Sequence, residues 1–172
     1  MVFEKVKYKE EFEKLLTDRG KKKFFIKPSN ASFKVKKFVK KGRDSLALAN
    51  YIKNSDENAK DYWIITICYY SMLYLAKAAI LTKGYETDNH YATQIALGHL
   101  LIPDQIERED LELLEQAHKI FEDDYVDYFD DARKESSTSR YSATKVYAER
   151  RVKEIFENAT EFIEKLSLML DE

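Results

Sequence analysis

Apolar residues recur along most of this chain at steps of three and four, the signature of a helix with one buried face. Val35, Phe38, Val39, Gly42, Leu46, Ala49 and Ile52 predict a helix over Ala31–Asn54, with Ser29 or Asn30 as its cap. Small residues at Gly42, Ser45 and Ala49 would let a second helix approach closely. After a turn at Asn54–Asn58, residues Ala59–Lys83 are apolar nearly all round, which predicts the most buried helix, stopped by Gly84. Thr87-Asp88-Asn89 offers a cap for a shorter helix over His90–Leu101, ending before Pro103. Leu111, Leu114, His118, Phe121, Tyr125 and Phe129 form the stripe of a helix over Glu109–Arg133. A polar loop, Lys134–Ser142, precedes a last helix over Ala143–Leu170, whose seam is Ala148, Val152, Ile155, Ala159, Phe162, Leu166 and Met169. Upstream, Phe3–Thr17 is helical in pattern, and Lys21–Pro28 is an extended connector that admits a short strand.

Long helices with short links imply an all-α, antiparallel up-and-down bundle of four to five helices with an N-terminal basic extension. The division expected is residues 1–28 as extension and 29–172 as bundle. Composition narrows the alternatives. Four Gly and two Pro in 172 residues are too few for a β-sandwich or barrel. One cysteine excludes a disulfide framework and a Cys-based zinc site and fits a reducing cytoplasm. The opening residues lack the apolar core of a secretory signal. Tyr62–Ala76 is uncharged but shorter than a membrane span, so it reads as a buried central helix and no membrane association is expected.

The net charge of −2 hides an asymmetry: residues 1–43 carry 15 Lys and Arg against 5 Asp and Glu, and residues 44–172 carry 14 against 26. Clustered cations are the footprint of polyanion binding, but such an arm also serves to neutralise its own acidic body.

Few motifs carry chemistry. Glu115-x-x-His118 matches one half of a di-iron helix pair, but no second copy exists, and His118 lies in the apolar stripe as a half-buried histidine would. Asp127, Asp130 and Asp131 sit at helical spacing in an acidic run that reads as a solvated face rather than a Mg²⁺ site; no metal and no cofactor are expected. There is no phosphate loop, no His-Glu-x-x-His and no Ser–His–Asp arrangement. Histidine acid–base chemistry is confined to His90, His99 or His118, and Cys68 reads as buried and inert. The loop before the last helix is richer: Arg133 and Arg140 flank four hydroxyls and lead into a helix N-terminus, a natural phosphate site. The competing reading is that both arginines neutralise the nearby aspartates.

The aromatic helix Tyr62–Ala78, Lys83-Gly84-Tyr85 leading to Asn89-His90, the Arg133…Arg140-Tyr141-Ser142 segment and Ala148-Glu149…Ala159-Thr160-Glu161-Phe162 together resemble the HEPN (higher eukaryotes and prokaryotes nucleotide-binding) domain family over about residues 30–170. The resemblance implies a commonly dimeric bundle. Many members are metal-independent ribonucleases or toxins; others are non-catalytic partners, often of small nucleotidyltransferases. Catalytic members carry Arg, four to six residues, then His. Here that place falls at Thr138, Ser139 or Arg140 counting from Arg133, and at Lys145, Val146 or Tyr147 counting from Arg140, with no histidine in either register. Arg140-x4-Lys145-Val146-Tyr147 resembles the toxin pattern Arg-x4-His-x-Tyr with Lys in the His place. A partner nucleotidylates that Tyr in some systems, which makes Tyr147 and Tyr141 candidates for modification.

The expectation is a HEPN-like module of toxin–antitoxin or defence type, homodimeric and cytoplasmic. It would bind a nucleotide or RNA phosphate through Arg133, Ser139, Arg140 and Tyr141 beside a nucleotidyltransferase-like partner. Two alternatives stand. One is a metal-independent ribonuclease using Arg133 and Arg140 with a base such as Lys145 or His90; the other is a structural dimerisation module without a ligand.

Overall fold

The computed structural model describes residues 5–17, 25–55, 60–133 and 141–171, with the backbone alone at 60, 62, 124–133 and 141–148. In chain order the elements are α1 (Lys5–Thr17), β1 (Ile26–Pro28), α2 (Phe33–Lys53), α3 (Lys60–Thr82), β2 (Tyr85–Thr87), α4 (His90–Leu100), α5 (Arg108–Arg133) and α6 (Tyr141–Leu170). The fold is an all-α bundle carrying one small antiparallel ribbon.

Helix α3 is the hub, touching α2, α4, α5, α6 and β2. Its apolar residues point in every direction, and Ile64, Ile65, Cys68, Met72, Leu75, Ala76, Ala79 and Ile80 are fully buried. By length and composition Trp63–Thr82 would suffice to cross a membrane, but most of that stretch is buried inside the fold. Helix α2 lies antiparallel on α3: Phe38 stacks on Tyr74, and Gly42 sits against Leu75 and the Ser71 carbonyl. Helix α6 is antiparallel to α2, since Arg43 reaches Ser167 and Asp171 while Lys53 lies over the Phe156 ring.

The start of α5 is fastened to the end of α6. Asp110, 2% exposed, accepts a hydrogen bond from the Glu107 N–H at 2.8 Å. The Lys165 ammonium stands 3.1 Å from the Asp110 carboxylate and 3.2 Å from that of Glu107. These two carboxylates hold the Lys165 pKa above its ordinary value.

Helix stops and caps follow local chemistry. Gly84 ends α3 with φ +81°, a left-handed conformation that favours glycine. Asn89 caps α4, its Oδ1 accepting the Ala92 N–H at 2.8 Å. The start of α2 differs from expectation. Neither Ser29 nor Asn30 caps it; the cap position is Ser32, whose side chain makes no capping bond. Ser29 is engaged elsewhere, its N–H donating to the Gly84 carbonyl at 2.8 Å and its Oγ accepting from Ala31 N–H at 3.2 Å.

The basic N-terminal segment packs on the bundle. Ile26 pairs with Thr87, Lys27 with Glu86 and Pro28 with Tyr85, so β1 is the strand the connector admitted, while β2 lies where no strand was predicted. Helix α1 lies on α4 with Phe12 and Leu15 buried, each contributing about 1.5–3 kcal/mol. Phe12 meets Tyr85 edge-on at 5.1 Å and His99 at 4.6 Å. The approach is close: a Cβ added at Gly98 would fall 2.6 Å from Cε1 of Tyr8. Gly98→Ala is therefore expected to loosen α1 selectively, accelerating hydrogen exchange of its amides about tenfold with little change in α3. Equal exchange of α1 in both proteins would show that Tyr8 simply steps aside.

Candidate functional site

Three elements bring a tyrosine and two histidines together. The hydroxyl of Tyr69, on α3, lies 3.0 Å from Nδ1 of His90, the first residue of α4. The His90 ring stacks face to face on His118 of α5, with centroids 3.4 Å apart and planes 10° apart. Phe121 stacks on Tyr69 from one turn further along α5, at 4.7 Å and 17°.

Burial sets the protonation of this cluster. Tyr69 keeps its proton because burial raises its pKa. Its hydroxyl and Nδ1 of His90 share one hydrogen bond, whose donor is set by the His90 tautomer. Nε2 of His90 is buried without a hydrogen-bond partner. Desolvation, reinforced by His118, pushes His90 down to about 3. Burial also lowers His118, against the opposing pull of Glu122, whose Oε1 is 3.4 Å from its Nε2. A stacked pair stays favourable only while neutral, and both shifts run that way.

At neutral pH His90 is thus neither a cation for a phosphate nor an effective base. It is also far from Arg133. Helix α5 runs unbroken from His118 to Arg133, and those 15 residues span about 22 Å. No single chain brings His90 to Arg133.

Of the remaining predicted site residues, those whose backbone is described lie at the end of α5 and the start of α6. Arg133 is the last residue of α5 and Tyr141 the first of α6, with Lys145 and Tyr147 in the first two turns of α6. Ser139 and Arg140 lie outside the described residues, as do the side chains of Arg133, Tyr141, Lys145, Tyr147 and the acidic run through Asp131. Because α6 is antiparallel to α2, this junction sits at the end of the bundle remote from the β1–β2 ribbon. The first turn of α6 leaves backbone N–H groups without helical partners, at the positive end of a 30-residue helix.

Glu115 is exposed while His118 faces His90, so the Glu115-x-x-His118 pair does not converge on one point. Among the described residues no group of three or more His, Cys, Asp or Glu is placed to hold a metal ion. Cys68 is fully buried, its thiol pushed up to about 12 by desolvation.

The stacked histidines were missed in the sequence. His118 was visible as part of an apolar stripe, but its partner arrives from another helix 28 residues upstream, and no local spacing encodes that meeting.

A family model described as HEPN domain matches residues 35–169. No curated protein and no solved structure matches the chain significantly. The matched span takes in nearly all of α2 and everything from α3 to the last turn of α6, the same helices that build the antiparallel bundle. The chain belongs to the HEPN domain family.

Proposed function

We propose that this HEPN domain binds the phosphate of RNA or of a nucleotide at the α5–α6 junction, without cleaving it. It would act as a homodimer in the cytoplasm beside a nucleotidyltransferase-like partner. The observation that carries this reading is positional. Within a family often concerned with nucleotides and RNA, Arg133 closes α5 and Arg140 immediately precedes the free amides of α6. Guanidinium forks beside a helix N-terminus match the geometry and charge of a phosphate. Binding is favoured over cleavage because neither register of the arginines supplies a histidine and the described histidines are neutral and distant. Arg is always charged and cannot serve as a base.

End-labelled single-stranded RNA incubated with the protein in EDTA tests both halves of the proposal. Wild type is expected to retard the RNA intact, and Arg133→Ala/Arg140→Ala to bind at least about tenfold more weakly. Equal retardation by both proteins would remove the arginines from the site. Metal-independent cleavage by wild type alone would instead establish a ribonuclease and direct attention to Lys145 and Tyr141.

A further inference from the structure

A second cationic surface lies at the other end of the molecule. Phe25, Lys27, Lys34, Phe38, Lys77 and Glu86 line a cleft of about 210 Å³ between the β1–β2 ribbon and the first turns of α2. Glu86 organises it: its Oε1 is 2.5 Å from the Lys34 ammonium and its Oε2 is 3.3 Å from that of Lys27. These contacts hold the Glu86 carboxyl below its ordinary pKa, so one ionised acid draws two lysines to the mouth of the cleft. Lys77 is a third cation, half-buried, with its Nζ donating to the Asp88 carbonyl at 3.3 Å. An ammonium has three hydrogens to place, and burial has already cost it water. Its lowered pKa reflects that cost, which an incoming anion would offset.

The surface continues along α2. Lys37, Lys40 and Lys41 line a second depression one turn further on. Asp44 pairs with Lys40, whereas Lys41 lies over the Tyr74 ring at 4.3 Å. Lys34, Lys37 and Lys41 fall on one face, spread over about 10 Å of helix. The two depressions together hold six lysines against Glu86, Asp88 and Asp44. Phe25 is 37% exposed at the cleft, with the Lys27 ammonium over its ring at 5.8 Å from the centroid.

We propose that this cleft and the adjoining lysine face of α2 form a binding track for single-stranded RNA. Phe25 stacks on a base, and Lys27, Lys34, Lys37, Lys41 and Lys77 follow successive phosphates. A cationic groove interleaved with an exposed aromatic ring suits a single strand, because a duplex hides its base faces. The track is separate from the α5–α6 junction. Arg43, just beyond the lysine face, is level with Ser167, and the 26 residues from Tyr141 to Ser167 span about 39 Å of α6.

Fluorescence anisotropy with a 5′-labelled ten-nucleotide single-stranded RNA tests the track. Lys37→Gln/Lys41→Gln alters exposed side chains that make no ion pair among the described residues, so folding is expected to change little beyond loss of the Lys41–Tyr74 contact. Introduced into Arg133→Ala/Arg140→Ala, so that the track alone is left to bind, the change is expected to weaken binding at least about tenfold further and to lower the log–log salt slope by about 1.4, two phosphate contacts for a single strand. Phe25→Ala should weaken binding about five- to hundredfold with little change in that slope. Unlabelled ten-mer should compete, whereas a nucleoside monophosphate at the same phosphate concentration should not. Unchanged affinity and slope when Lys37→Gln/Lys41→Gln is added to the arginine variant would overturn the track. Full competition by the monophosphate would replace it with a mononucleotide pocket. Loss confined to Arg133→Ala/Arg140→Ala would leave the junction as the binding site and dismiss α2. Circular dichroism melts of each variant separate lost contacts from lost fold.

Discussion

Replacing Gly42 by valine is expected to destabilise the domain by about 3 kcal/mol, at the upper end of the cost of overfilling a core. The position faces α3 at its closest approach. A Cβ there would stand 2.7 Å from Cδ1 of Leu75 and 3.0 Å from the Ser71 carbonyl oxygen. The first contact is to a side chain with nowhere to go, since Leu75 is fully buried; the second is to backbone. Only separation of α2 from α3 relieves both, and α3 is the element against which the rest of the bundle packs. A glycine-to-alanine change in a helix ordinarily gains about 1 kcal/mol in propensity. At Gly42 that gain is expected to be outweighed, so Gly42→Ala should also destabilise, by less. For a domain of this size, 3 kcal/mol corresponds to a fall in Tm of about 6–12 °C. A Tm for Gly42→Val within 2 °C of wild type would mean that α2 and α3 tolerate separation, contrary to their geometry.

Acidification is expected to weaken the fold through His90. The histidine has a pKa of about 3 in the folded protein, against an ordinary value of 6.5. Because the unfolded chain takes up the proton first, the stability that neutral His90 contributes is complete above about pH 6.5 and is lost as pH falls toward 3. At pH 5 the difference is about 1.5 pH units, or about 2 kcal/mol. His118 and His99, both lowered by burial, act in the same direction. A Tm about 4–8 °C lower at pH 5 than at pH 7 follows. His90→Asn keeps a hydrogen-bonding atom near Tyr69 but cannot become charged. It should therefore melt lower than wild type at pH 7, with a visibly flatter pH dependence. Identical pH dependence in the two proteins would remove His90 as the cause.

The helices were legible because their cause is local. The stripe from Val35 to Ile52, the all-round apolarity of the central helix, Gly84 as a stop and Asn89 as a cap each need only neighbouring residues, and the bounds agree within about two residues. Gly42 as a point of close approach was legible too, since small residues on one helix face have few other uses. What was hidden is whatever depends on two distant segments meeting. Strand β2 has no strand pattern of its own; it pairs because Ile26–Pro28 arrives beside it. His90 meets His118 only because α4 and α5 cross α3 at matching heights. Glu86 gathers Lys27 and Lys34 from either side of a turn, so the basic segment appeared in the sequence as a charge count and in space as a lined cleft.

The small ribbon also orders the events of folding. Its strands stand about sixty residues apart in the chain, yet closing that distance is rewarded by a few backbone hydrogen bonds, the burial of Ile26 and the exposed Lys27–Glu86 pair. Closing so long a loop in an otherwise unfolded chain is entropically costly. The neighbouring helices α2 and α3, only six residues apart in the chain, form their contacts locally and shorten the path. The N-terminal strand and the helix before it are therefore expected to dock late and detach early, as a separate cooperative unit on a preformed bundle. The family match, which begins at Val35, starts where that earlier-forming unit starts.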